Sequence, residues 1–288
     1  MATQHATAAS DPQADAMRVM WDAAADGWHS HHRLIRSWLG PATSLMLDAA
    51  KVGPGMQVLD VAAGAGDQTL DIAHRIGPSG HVLATDLSPR CIALARSTLQ
   101  DAGVTNCSFL VADGAKLDVE LQFDAVICRL GLMFYPKPLE GLQRMKAALK
   151  PGGRCAVLAF SDAASNPCIV SAIATASKLA EGPPFDPDRI GTLLSLGGSG
   201  VLSRLFAEAG FRDVTTAKIA APMRLPSAQH YVQFLKDAAG PVKGLIERLD
   251  AASQMEAWTE MESAMAQFQT PDGWAGPNEL LLAIGRRV

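Results

Sequence analysis

The densest chemistry in this 288-residue chain lies in the run Val58-Leu59-Asp60-Val61-Ala62-Ala63-Gly64-Ala65-Gly66-Asp67, where an apolar stretch holding one acid passes straight into small residues. Small side chains let a backbone approach a ligand closely, and the N–H groups opening the next helix face whatever sits there. Two phosphate-binding readings fail. A dinucleotide fingerprint needs a third glycine or alanine after G-x-G-x-x, and Gly64-Ala65-Gly66-Asp67-Gln68 is followed by Thr69. A triphosphate loop ends in Gly-Lys-Ser/Thr, and the lysine is absent. Twenty residues after Gly66, the apolar run His81 to Thr85 delivers Asp86, a spacing that suits a carboxylate accepting both hydroxyls of a ribose. The run Ser108 to Val111 then ends in Ala112-Asp113-Gly114, a second acid beside a glycine. No lysine or arginine lies within these three turns, so the expected ligand is a neutral or cationic nucleoside rather than a pyrophosphate.

Such a site requires strands that end side by side and helices that begin there. Apolar runs at Gln57 to Val61, His81 to Thr85, Ser108 to Val111, Ala125 to Cys128 and Cys155 to Phe160 alternate with helical patterns. That alternation predicts repeated βαβ units and a parallel sheet covered on both faces. Gly77 closes one helical pattern, Ser88-Pro89 opens the next, and Pro151-Gly152-Gly153 turns a helix into the fifth strand. Ahead of the sheet, Met1 to Ser10 is unpatterned, and Asp11-Pro12 supplies an N-cap with proline at the first helical position. Met17, Met20, Trp21, Ala24 and Trp28 form one apolar helix face, and a second helical stretch is expected over Pro41 to Ala50. Asp162 to Leu196 reads as an insertion over the sheet's carboxyl edge, followed by a helix ending at Gly210. Phe211 to Ile219 predicts a sixth strand, Ala228 to Phe268 two helices, and Leu280 to Gly285 a closing strand.

Asp60 to Gly66, Thr85-Asp86-Leu87-Ser88, Ala112-Asp113, Phe123-Asp124-Ala125-Val126 and Leu149-Lys150-Pro151-Gly152-Gly153 resemble, in order and spacing, the motifs of the class I S-adenosylmethionine methyltransferases. The Asp-x-Ala start of the loop, Gly131-Leu132 and Leu158-Ala159-Phe160-Ser161 are similar to the quinone C-methyltransferases of menaquinone and ubiquinone synthesis. The likeness runs from Val52 to Ser161; the first loop position, commonly Gly, is Ala62 here, as the quinone enzymes tolerate. The resemblance implies an α/β, doubly wound, mostly parallel seven-stranded Rossmann-like sheet, with its seventh strand inserted antiparallel beside the fifth. It implies S-adenosyl-L-methionine as cofactor. It also implies roles: in the loop that Ala62 opens, Asp60, Gly64 and Gly66 approach the methionine part, Asp60 toward the amino group directly or through water. Asp86 holds the ribose, Leu87 packs on the adenine, Asp113 beside Gly114 accepts from the exocyclic amine, and Arg129 borders both cofactor and acceptor. The expected division is residues 1–50 as tail and helical flap, 51–161 as cofactor-binding core, 162–210 as helical insertion or lid, and 211–288 as the part completing the sheet.

Methyl transfer from a sulfonium mainly needs alignment and exclusion of water, with a base required only where the nucleophile carries a proton of high pKa. For a hydroxyl nucleophile, His29 and His32 are candidate general bases: helical continuation past Trp28 puts them three apart on one face of the flap, with imidazole pKa values near 6.5. His230 is the reserve. Met255, Trp258, Met261, Met265 and Phe268 form a stripe that would serve as an apolar acceptor wall. The histidines lack a matching acid or cysteine cluster, so no metal is expected. The expected acceptor is an apolar small molecule, aromatic, quinone-like or polyketide-like, methylated on oxygen or carbon. The Asn-Pro-Pro-aromatic signature of amide and base N-methyltransferases is absent at Arg129-Leu130-Gly131-Leu132. An N-methyltransferase, or a cofactor-binding member of the fold that does not methylate (pericyclase-like or scaffold), is the alternative.

With 25 basic against 29 acidic residues and a net charge of -4, the chain lacks the cationic excess that nucleic-acid binding draws on. Five cysteines with no CxxC pair predict reduced core thiols and a cytoplasmic protein. The chain's start carries no basic-then-apolar pattern and no stretch reaches about 18 apolar residues, so neither an export signal nor a membrane span is expected. A homodimer stays open alongside a monomer.

Overall fold

Helices α1 (Pro12–Ser30) and α2 (His32–Ala49) lead into β1 (Gln57–Val61), α3 (Asp67–Ile76), β2 (His81–Asp86), α4 (Pro89–Asp101), β3 (Cys107–Val111), β4 (Phe123–Arg129), α5 (Pro138–Ala148) and β5 (Leu149–Phe160). Then follow α6 (Pro167–Leu179), α7 (Val201–Glu208), β6 (Arg212–Ala220), β7 (Met223–Leu225), α8 (Ala228–Ala238), α9 (Gly240–Ile246), α10 (Ala251–Met265), β8 (Gln269–Thr270), β9 (Gly273–Gly276) and β10 (Glu279–Arg286). The structure is a computed structural model that describes residues 12–119, 122–182 and 184–288, so Met1 to Ser10 and the expected Asp11 cap lie outside the described residues.

The large sheet has the order β3-β2-β1-β4-β5-β10-β6. Strands β1 to β5 pair in parallel, and β10 lies antiparallel between β5 and β6, as the resemblance implies. Val58, Leu59, Val61, Ala125, Val126, Ile127 and Cys128 are buried, the continuous apolar signature of strands covered on both faces. Strand order reverses between β1 and β4, and in open α/β sheets the crevice at the carboxyl ends beside that switch point is where ligands bind. Local chemistry fixes the turns at that edge. The Ser88 hydroxyl caps α4 by accepting from the Cys91 N–H at 3.0 Å, with Pro89 preset at the first helical position.

Three expectations change. The second helix starts at His32 rather than Pro41 and carries Pro41 inside it. An interior proline costs about 3 kcal/mol, but Ile35, Trp38, Leu39, Met46 and Leu47 are buried along the same helix, each worth roughly 1.5 to 3 kcal/mol. The segment Ala228 to Phe268 forms three helices, because Gly240-Pro241 restarts the chain after α8. Strands β7, β9 and β8 make a small antiparallel sheet of two to four residues per strand, too short to show a period. The methionine stripe also turns out to be packing: Met261 and Met265 are fully buried in the core, while Met255 is 72% exposed and faces away from any cavity.

Helix α1 lies across the carboxyl edge, with Ala24 and Ala25 fully buried. It meets α8 at Gly27, where a methyl group would overlap the Asp237 carbonyl. His31 Nε2 lies 2.9 Å from Asp237 Oδ2 just beyond. Among the described residues no helix is long and apolar enough to cross a membrane. Gly27→Ala should lower stability by about 1 to 3 kcal/mol through overpacking, read from urea denaturation midpoints; an unchanged midpoint would mean that α1 does not seat on α8.

Candidate active site

The chain leaving β1 reverses into α3 within five residues, and it does so through alternating left-handed backbone: Ala62 at φ 57°, Gly64 at 58° and Gly66 at 89°. L side chains resist this region, so glycine is usual and Ala62 carries a cost of about 1 to 2 kcal/mol. The loop is pinned from three sides. Ala63 N–H donates to the Thr85 carbonyl at 3.0 Å, Gly64 N–H to Asp86 Oδ2 at 2.9 Å, and the Thr98 hydroxyl to the Ala65 carbonyl at 2.9 Å. Gly66 faces α4, where a Cβ would come 2.9 Å from Ala95 Cα.

Beneath the loop sits Asp60, fully buried, accepting from Thr69 Oγ1 at 2.7 Å and from Gln68 Nε2. Burial pushes its carboxyl up to about 6, against those two hydrogen bonds and the charge of Arg129, which pull it down. Asp86 is held by the N–H groups of Gly64 and Ser88, the latter at 2.9 Å, and burial raises its pKa against these bonds. With a further backbone bond from Leu87, one of its four lone-pair sites stays open. Arg129 is buried and committed: it donates to Asp67 Oδ2 at 3.2 Å and Thr43 Oγ1 at 2.8 Å.

These groups border one cavity of about 350 Å³. Of the residues singled out in the sequence, Ala62, Gly64, Asp86, Leu87, Asp113, Gly114 and Arg129 line it together. Asp60 and Gly66 do not: the first turns its carboxyl into the loop's own side chains, the second faces α4. His29 and His32 stay outside as well. Helix α1 ends at Ser30, the turn at His31 redirects the chain, and His32 is exposed with its Nδ1 3.1 Å from the His29 carbonyl oxygen. His230, the reserve base, is exposed and pairs with Ser227 at 2.8 Å.

The far half of the cavity is aromatic. Ring centroids run from Phe134 to Trp21 at 5.3 Å, Trp21 to Trp28 at 6.4 Å, Trp28 to Phe234 at 6.1 Å, Phe234 to Trp38 at 6.5 Å and Trp38 to Phe160 at 6.1 Å. Sequence reasoning placed Trp21 and Trp28 on the flap but missed Gln68, Trp38, Phe134, Tyr231, Phe234 and Asn278, all of which line the cavity. The thiols offer no nucleophile: burial pushes Cys91, Cys107, Cys128 and Cys168 up to about 12.

Residues 53–209 match the family described as methyltransferase domain, more than half of the chain. The chain belongs to that family. UbiE of Pseudomonas aeruginosa, a ubiquinone/menaquinone biosynthesis C-methyltransferase, is 38% identical over 122 residues, 42% of this chain and 48% of that protein. This methyltransferase-domain chain therefore spans about half the length of the curated relatives it matches. Two solved structures share its fold at 18% identity and a TM-score of 0.58: YcgJ from Bacillus subtilis, covering 86% of this chain and 98% of that one, and the [4+2]-cyclase SpnF, covering 96% and 98%.

S-adenosylmethionine is the cofactor of this family, and the open atoms of the site fit it. Gln68 is buried, its Nε2 is spent on Asp60, and its Oε1 has no protein partner while the residue lines the cavity, which suits an ammonium. The open lone-pair site of Asp86 suits a ribose hydroxyl. Gly114 is held to glycine because a Cβ would overlap the Tyr135 hydroxyl.

Two tests follow from this geometry. The folded pKa of Asp60 lies above the ordinary value of about 3.9, so its contribution is complete below pH 4 and is lost as pH rises through about 6. Parent stability relative to Asp60→Asn should therefore fall by about 2 to 3 kcal/mol between pH 4 and 7, with the slope rather than the offset as the readout; parallel curves would refute it. Separately, a Cβ on Gly131 would overlap Ala62 Cβ, so Gly131→Ala should cost about 1 to 3 kcal/mol. Adding Ala62→Gly should recover most of that loss, and strict additivity in the double-mutant cycle would show that the two do not touch.

Proposed function

We propose that the protein transfers the methyl group of S-adenosylmethionine to a carbon or oxygen of an apolar small-molecule acceptor of aromatic, quinone-like or polyketide-like character. The observation carrying this reading is a single cavity that Gly64, Asp86 and Asp113 line together with Trp28, Trp38, Phe160, Tyr231 and Phe234. The cofactor supplies an electrophilic methyl on a sulfonium whose leaving group is a neutral thioether. The chain's part is to bind, orient and keep water out.

Among the described residues that line the cavity there is no histidine, and Lys116, Lys137 and Glu140 are exposed. Burial holds the Tyr231 hydroxyl well above its ordinary pKa, so it stays protonated. That supports a nucleophile needing no base from the chain: an electron-rich carbon, or an oxygen that arrives ionised. The C-methyltransferase relatives point the same way, and the fold contributes Asp86 for the ribose, Leu87 and Asp113 for the adenine and Gln68, oriented by Asp60, for the ammonium.

The test incubates the protein and S-adenosylmethionine with a panel of hydroquinones, phenols and enolic polyketide-like compounds. Expected is a mass gain of one methylene matched by S-adenosylhomocysteine release, with His29→Ala and His32→Ala turning over at the parent rate from pH 5.5 to 9. A base at either position would instead lower turnover by about a hundredfold or more. One second reading has a specific observation behind it: an aromatic-walled cavity without a lining histidine also suits cyclisation, and the SpnF cyclase shares the fold over 96% of this chain. Product formation without S-adenosylhomocysteine release would favour that reading.

A further inference from the structure

Resting on the proposed acceptor half of the cavity, we propose that Asn278 is its polar anchor and selects acceptors that present a hydroxyl on an apolar aromatic body. Because β10 runs antiparallel to β5, its beginning rather than its end lies at the carboxyl edge, where Leu280 pairs with Phe160. Asn278 immediately precedes β10 and reaches the chamber from there.

The residue is fixed on all sides but one. Its main-chain carbonyl accepts from Ala221 N–H at 2.8 Å. Its side-chain Nδ2 points at the Gly276 carbonyl at 3.4 Å, which sets the amide's orientation, since the flipped form would oppose two oxygens. Asn278 is 4% exposed, and Oδ1 is buried without a protein partner. Buried polar groups are almost always paired, so an orphan acceptor lining a cavity marks a place for a ligand donor.

Two other polar groups lining the cavity are taken. Arg129 is paired with Asp67 and Thr43, and the Tyr231 hydroxyl is bonded to Cys168. Oδ1 carries no charge and offers only an acceptor, so it selects O–H or N–H over an ether or carbonyl; the apolar rings nearby favour the neutral hydroxyl. Around it, Trp38, Phe160 and Phe234 supply flat apolar contact suited to a ring.

Binding, not turnover, tests this. With S-adenosylhomocysteine bound, equilibrium dialysis measures 1-naphthol against the near-isosteric 1-methylnaphthalene for the parent and for Asn278→Leu. The parent should prefer the naphthol, and that preference should fall about ten- to a hundredfold in the variant, the range for a hydrogen bond to a buried acceptor. Calorimetric titration with S-adenosylhomocysteine should be unchanged, which reports an intact fold; if Asn278→Leu fails that control, Asn278→Ser is measured in its place. Equal preference in parent and variant, or no binding of either probe to the parent, overturns the proposal. Failure of the parent to bind S-adenosylhomocysteine would instead sink the cofactor reading, so the two can be told apart.

Discussion

Everything at the carboxyl edge depends on a reversal of chain direction between β1 and α3 that only a left-handed loop can make in so few residues. Three positive-φ positions accomplish it, and one of them is an alanine. The cost at Ala62 is offset by what the loop's geometry secures: Gly64 N–H meets Asp86, Gln68 and Thr69 are drawn onto Asp60, and Asp67 at the head of α3 reaches Arg129. Move the loop and the nucleoside carboxylate, the buried acid and the chamber's guanidinium all lose partners together. This also explains why Gly131, on the neighbouring strand's exit, has no side chain: the Ala62 methyl occupies that space.

A second consequence is electrostatic. Among the described residues lining the cavity, Lys116 and Lys137 are exposed and Arg129 is buried, facing two oxygens already bound to it. Its charge is cancelled by Asp67 before it reaches the aromatic half, and Arg36 donates to the other Asp67 oxygen at 3.3 Å. Charges inside low-dielectric surroundings are tolerable when paired. The buried guanidinium is thereby compensated, and α1 adds Trp21 and Trp28 to the cavity wall. Such surroundings reward burial of an apolar ligand and leave little room for proton transfer to the chain.

The strands, their order of use and the nucleoside loop were legible in the sequence because each rests on a local rule: apolar runs between turns, glycine where φ is positive, an acid at a strand's end. Gly64, Asp86 and Asp113 follow from those rules alone. What failed was anything set by rotation of one element against another. Spacing brought His29 and His32 near each other, with rings 6.1 Å apart, but not on one helix face: α1 ends at Ser30, α2 starts at His32, and the break at His31 together with Gly27 seating against α8 sets where each ring points. The Met261 and Met265 stripe has the period of a buried face, and period cannot separate core from cavity wall. Gln68 stood inside the most informative motif, where its neighbours' smallness drew the reading; an amide two places after the last glycine was the available signal.

Two buried side-chain acceptors that line the cavity, Gln68 Oε1 and Asn278 Oδ1, lack a protein partner, and they sit on opposite sides of the sheet's switch point. A third buried acceptor, Glu279 Oε1, faces Lys218 Nζ at 2.9 Å and is thereby accounted for. Since folded proteins leave very few buried acceptors unpaired, two in one cavity are better explained by ligand than by imperfect packing. Their chemistry assigns an orientation. Gln68, backed by the acid Asp60, suits a cation, whereas Asn278, near the aromatic rings of Trp38 and Phe160, suits a neutral donor. On the proposed function, a cationic end beside β1 and a hydroxylated ring beside β10 would leave the reacting groups to meet between them, where Trp21 and Trp28 of α1 line the cavity.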